Sequence, residues 1–257
     1  MPAKRRRTRW FIAGLTSLAL LGPQTPASAT TSYDQPVNFQ WESAVLDVLI
    51  VPPEHGQIYN DNGPLGGEGV NELDPYQNSY LRAVERSVAD WDRAVETFGP
   101  SWLQAGLVTN VYVLGRDNTP QSALTDPEII ITTDQNKGFI LGVATWSRLN
   151  TESRCIVDNS KFFIKSFSYE DMYNVNGQEY GHCLGLGHVD GTPRDEIITH
   201  DVMHGTYYDP VGGAGTHRHC ISNLNVRGLE LVYGPLFGQP GGPGVRIDST
   251  VYERMSC

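Results

Sequence analysis

The run Gln178-Glu179-Tyr180-Gly181-His182-Cys183-Leu184-Gly185-Leu186-Gly187-His188 holds the residues of this chain whose types and spacing could do chemistry. Positions 178 and 182 are four apart, so on a helix their side chains leave one face, one turn from each other. Glu179 stands beside them, where a carboxylate can take a proton from a water activated by a metal. Gly185 lets the chain leave the helix in a backbone conformation that costs other residues more. The turn made there would carry His188 back toward His182. Three protein ligands plus one water is the open coordination of a catalytic zinc. Imidazoles suit that ion. Gln178, one turn before His182 on that face, offers a neutral and harder amide oxygen, better matched to calcium.

The run resembles the extended pattern H-E-x-x-H-x-x-G-x-x-H of the metzincin zinc metallopeptidases, with Gln178 in place of the first histidine. Asp201-Val202-Met203-His204 is similar to the methionine turn beneath the metal in that superfamily. Ile221-Ser222-Asn223-Leu224-Asn225-Val226-Arg227-Gly228-Leu229-Glu230-Leu231-Val232-Tyr233-Gly234 is similar to the C-terminal helix of its matrixin branch, which ends in a similar Leu-Tyr-Gly. Together the three stretches cover roughly residues 168–234.

The resemblance implies an α+β, metzincin-like zincin fold: a twisted mixed β-sheet with an active-site helix and a C-terminal helix. It implies a zinc-dependent endopeptidase acting on a protein or peptide, and the chain is expected to be secreted and monomeric. Glu179 would be the general base, His182 and His188 would hold Zn2+ with Gln178 as third ligand, and Met203 would be the supporting floor. Alternatives stand beside this reading. Gln178 could coordinate weakly and leave a slow enzyme, or another histidine could replace it, His200 and His204 being nearest in sequence. The site could also be silent, making the domain a peptide- or protein-binding module. Without a metal, His182 and His188 would be a hydrogen-bonded pair. Tyr207 or Tyr208 could assist an oxyanion, although the position two residues after Met203 is Gly205. His217 and His219, in a Gly-rich stretch, read as surface residues. Asp190, Asp195 and Glu196 could bind Ca2+, against the plainer reading of a solvated acidic loop.

The elements that must position these residues follow from hydrophobic patterning. Ala44 to Val51 reads as a buried strand stopped by Pro52-Pro53, and residues 54–75 as a long Gly/Asn/Asp/Pro-rich loop. Tyr76 to Phe98 carries Leu81, Val84, Val88, Trp91, Val95 and Phe98 at helical spacing, ended by Gly99-Pro100. Leu107–Leu114, Glu128–Thr133 and Phe139–Trp146 read as strands, and Cys155–Lys165 as a further one. Ser168 with Asp171 resembles a capping box opening a helix through about Leu184. A strand–helix–strand start favours a right-handed crossover in a mixed sheet.

Composition frames the rest. The chain has 257 residues, 39% hydrophobic, with 27 glycines and 16 prolines, which points to one loop-rich domain. Lys4, Arg5, Arg6, Arg7 and Arg9, the apolar stretch from Trp10 to Leu21, and Ala27-Ser28-Ala29 read as a signal peptide spanning residues 1–29. The peptidase domain is expected over residues 30–234 and a Gly/Pro linker with a short tail over 235–257. Loss of residues 1–29 would remove five of the 19 basic and none of the 29 acidic residues, leaving 14 − 29 = −15. Such an acidic chain is a poor partner for nucleic acid or an anionic membrane. Cys155, Cys183, Cys220 and Cys257 are an even set in an exported chain, which suggests two disulfides with three possible connectivities. A Cys183–Cys220 bridge with Cys155–Cys257 is one of them.

Overall fold

Hydrophobic runs and proline stops translate into a sheet backed by helices. The computed structural model describes residues 32–52, 75–115, 119–134, 141–149, 152–160, 169–192, 200–205, 218–249 and 251–255. The chain divides after Thr30 into two units, and every described residue belongs to the second.

Five strands make the main sheet: β2 (Val45–Ile50), β3 (Val108–Val113), β4 (Ile129–Asp134), β5 (Gly142–Leu149) and β6 (Glu152–Ser160), in the order β3-β2-β4-β6-β5. β2 runs parallel to both β3 and β4, β4 runs parallel to β6, and β5 alone is antiparallel, at one edge. β5 and β6 follow each other closely in the chain, which suits an antiparallel pair, whereas the parallel pairs need crossovers. The first crossover is supplied by α1 (Pro75–Phe98) and the short α2 (Ser101–Gly106). The expected strands at Leu107–Leu114 and Glu128–Thr133 form nearly as bounded. The last two differ: β5 begins at Gly142, later than Phe139, and β6 starts before Cys155, while the expected stretch beyond Ser160 lies outside the described residues.

α1 buries Leu81, Val84, Val88, Trp91 and Val95 along one stripe. That stripe meets α4 (Tyr169–Cys183), the motif helix, which also packs on β5 and β6, while α1 reaches the sheet directly where Asn159 on β6 donates to the Tyr80 hydroxyl at 2.9 Å. α4 is sheltered on both sides although it is rich in polar residues, with Asp171, Asn174 and Asn176 buried. Buried amides must be bonded. Asn176 donates to Ser87 Oγ at 2.7 Å, Trp91 donates its indole N–H to Gly177 O at 3.0 Å, and Tyr173 donates to Asp90 at 2.8 Å. Asp90 in turn pairs with Arg86 and Arg93, each at 2.9 Å. The register of α4 against α1 is therefore set by polar contacts as well as by volume. Ser168, the partner expected to cap with Asp171, lies outside the described residues, as do residues 54–74 of the expected long loop.

α5 (Asn223–Tyr233) is the C-terminal helix, opened by a reciprocal cap: Asn225 N–H donates to Ser222 Oγ, and Ser222 N–H donates to Asn225 Oδ1 at 2.8 Å. A second, three-stranded antiparallel sheet brings together β1 (Ser32–Pro36), β7 (Asp190–Thr192) and β8 (Arg246–Ser249), in the order β7-β1-β8. The stretch expected as linker and tail is built into the same unit: Tyr252 donates its hydroxyl to Asp201 at 2.9 Å, and Met255 N–H donates to Ile221 O at 2.9 Å. A short α3 (Gln121–Thr125) lies between β3 and β4.

The disulfides correct the suggested pairing. Cys155 on β6 bonds to Cys183 at the end of α4, with Cα atoms 5.6 Å apart, and Cys220 is disulfide-bonded too. The register of β6 turns Cys155 into the core beneath α4, so the two Cα atoms fall within bridging range. Among the described residues no helix is long and apolar enough to cross a membrane.

One buried acid gives a pH-dependent stability. Burial pushes the Asp92 carboxyl on α1 from 3.8 up to about 6; the Thr109 hydroxyl opposes the shift and Glu96 adds to it. A folded pKa above the unfolded one means that this group's contribution is complete below about pH 4 and is lost as pH rises through 6. Asp92→Asn is therefore expected to stabilise the protein by about 1–2 kcal/mol at pH 8 and by nothing at pH 3.8. Urea unfolding at both pH values checks this, and an equal effect at the two would refute it.

Candidate active site

α4 carries Gln178, Glu179 and His182 in its last turns, and the chain then turns out of the helix at Gly185. Gly185 has φ +107°, and a Cβ there would come within 2.6 Å of Phe39 O, so both conformation and space demand glycine. The turn returns His188 to His182: their Nε2 atoms are 3.1 Å apart and their rings meet edge to face, 4.7 Å between centroids. His188 is exposed and His182 half-buried, so the pair opens to solvent on one side.

The tautomers follow from the partners. Leu186 O can only accept, so His182 Nδ1, 2.8 Å away, carries the proton and Nε2 bears the lone pair. Burial pulls the His182 pKa from 6.5 down to about 4, which keeps the ring neutral at physiological pH. A ligating histidine needs that state: neutral, with its second nitrogen donating to a carbonyl. Two imidazole nitrogens at about 2.0–2.1 Å from one tetrahedral ion lie about 3.3 Å apart, close to the spacing seen here. The histidine pair fits a divalent ion.

Gln178 is committed in part. Its Nε2 donates to His204 O at 2.9 Å, so Oε1 is the atom of that side chain left to ligate a cation. Among the described residues no third His, Cys, Asp or Glu completes a metal group with the pair. His204 offers its backbone carbonyl to Gln178, and the His200 ring lies 6.2 Å from that of His219. His219, expected at the surface, is buried.

Glu179 is held against the sheet edge, its Oε2 accepting from Ala144 N–H on β5 at 2.8 Å. Burial pushes its carboxyl from 4.5 up to about 7, with the Ala144 hydrogen bond pulling the other way. A carboxyl poised near neutrality with one oxygen anchored can take up and release a proton through the other. Gly142, also on β5, gives it room: a Cβ there would come within 2.9 Å of Glu179 Cγ.

Met203 lies fully buried under the motif. Gly181, just before His182, makes this possible, since a Cβ there would strike Met203 Sδ and approach Trp91 within 2.6 Å. The turn around Met203 is pinned by Asp201, whose Oδ1 accepts from Met203 N–H at 2.8 Å, and by Val189 N–H, which donates to Met203 O at 2.8 Å. Gly205 lies against the His188 ring; a Cβ there would be 3.2 Å from Nδ1. Tyr207, Tyr208, His217, Asp195 and Glu196 lie outside the described residues, as does the side chain of Asp190.

Two contributors had no signal in the sequence: Ala144, whose N–H anchors Glu179, and residues 35–41, which bond to the end of α4 and the loop after it. Both act through pairings far away in the chain. No family model matches this sequence, and neither a curated protein nor a solved structure is significantly similar to it.

Proposed function

We propose that this protein is a matrixin-like metzincin that hydrolyses peptide bonds, with His182 and His188 as zinc ligands and Gln178 Oε1 as a weak third. The observation that carries this is the 3.1 Å approach of the two Nε2 atoms, with Glu179 beside them on α4 and Met203 beneath. A bound zinc would supply a Lewis acid that polarises a carbonyl and lowers the pKa of water. Glu179 would take the proton of the attacking water and pass it to the leaving amine. The Ala144 N–H fixes the carboxylate for both transfers. Among the described residues β5 has a strand on one side only, so an extended peptide could lie along its other edge next to Glu179.

A second reading has its own support. The Gln178 hydrogen bond to His204 O, together with the absence of a third acidic, His or Cys ligand among the described residues, suits a cleft that binds peptides without cleaving them. One experiment separates the two. Protein purified after export and dialysed against trace zinc is expected to retain about one zinc per chain and to cleave casein or gelatin slowly, with loss on chelation and recovery on zinc addition. A folded protein with no zinc and no cleavage would leave only the binding module.

A further inference from the structure

We propose that Gln35–Trp41 is the segment that sets the position of His188, and that Gln35 is its positioning residue; this rests on the metal-site reading above. Where α4 ends, its last carbonyls lose their partners within the helix. This segment supplies replacements in order. Trp41 donates its indole N–H to Cys183 O at 2.9 Å. Asn38 N–H donates to Gly185 O at 2.8 Å, and Val37 forms a β-bridge with Leu186. Gly187, the residue before His188, is gripped on both sides: its N–H donates to Pro36 O at 2.8 Å, and its carbonyl accepts from Gln35 Nε2 at 3.0 Å.

Gln35 is fully buried, and both ends of its amide are used, since Oε1 accepts from Asn225 Nδ2 at 3.1 Å. Asn225 belongs to the cap of α5, so the glutamine forms a strut from that helix to the backbone that carries His188. A buried amide is costly unless bonded at both ends, and an apolar residue would fill this space without that requirement. What glutamine adds is direction: a donor aimed at Gly187 O. Gly187 itself must be glycine, because a Cβ would strike Pro36. Beyond His188, β1 pairs with β7, Asp34 opposite Asp190, so the loop is held on both flanks. His188 is exposed, and its approach to His182 depends on this frame more than on its own packing.

The test uses the exported full chain and two variants. Gln35→Met keeps the length and removes both hydrogen bonds. Gln35→Glu keeps an acceptor for Asn225 and loses the donor to Gly187. Co2+ titration followed by absorption reads the metal site, and amide hydrogen exchange reads Gly187 against core amides of α1 such as Val88. Both variants are expected to weaken Co2+ binding about 10–100-fold and to speed exchange at Gly187 by about tenfold or more, with Val88 unchanged. Unchanged Co2+ affinity with unchanged Gly187 exchange overturns the proposal. So does exchange that rises equally at Gly187 and Val88, which would mean a general loss of stability. If the unaltered protein binds no Co2+, the metal reading fails, and exchange at Gly187 alone decides the positioning claim.

Discussion

Gln178→His is expected to raise zinc affinity by at least about 100-fold and to raise peptide hydrolysis with it. Loss of a group that merely orients a ligand costs about 10–100-fold in metal affinity or activity, so restoring a ligand should return more. The position suits the exchange. Residue 178 lies one turn before His182 on α4, and its present side chain already donates to His204 O. An imidazole can make that bond through Nδ1–H and leave Nε2 for the metal, the arrangement His182 already shows with Leu186 O. Zinc affinity measured by competition with a chromophoric chelator, alongside casein digestion, checks the result. Unchanged affinity in a folded variant would mean that the defect does not lie at this position.

Glu179→Gln is expected to lower kcat by about 100- to 10,000-fold, the usual worth of a positioned general base, while zinc affinity changes little. Glutamine keeps an oxygen to accept from Ala144 N–H, so the anchor to β5 survives and only the proton carrier is lost. The measurement is clearest in the Gln178→His background, where the starting rate is higher. Equal kcat in the two proteins would remove Glu179 from the mechanism. A large loss of zinc with the loss of rate would make it a ligand instead.

These expectations draw on two kinds of information. The helical stripe of α1 and the cores of β2, β3 and β4 were legible because each is a local periodicity that the fold obeys. The return of His188 toward His182 was legible because Gly185 stands where a positive φ is needed. β1, β7 and β8 were not: each is short, and its pairing partner lies far off in the chain, as with Asp34 opposite Asp190 and Asp248. The Cys155–Cys183 bridge was hidden for a related reason. Four cysteines allow three pairings, and only the register of β6 beneath α4 selects one.

By itself the sequence determined which side chains could act, since spacing on a helix and a glycine stop are local facts of backbone geometry. The tertiary structure decided what surrounds them. It turned Gln178 toward His204 O, seated Glu179 on Ala144, slid Met203 under Gly181 and clamped Gly187 between Pro36 and Gln35. Burial, which arises only when distant segments pack, drew the His182 and Glu179 pKa values from their ordinary places. Such contacts depend on the free energy of the whole packed chain, and no local pattern encodes them.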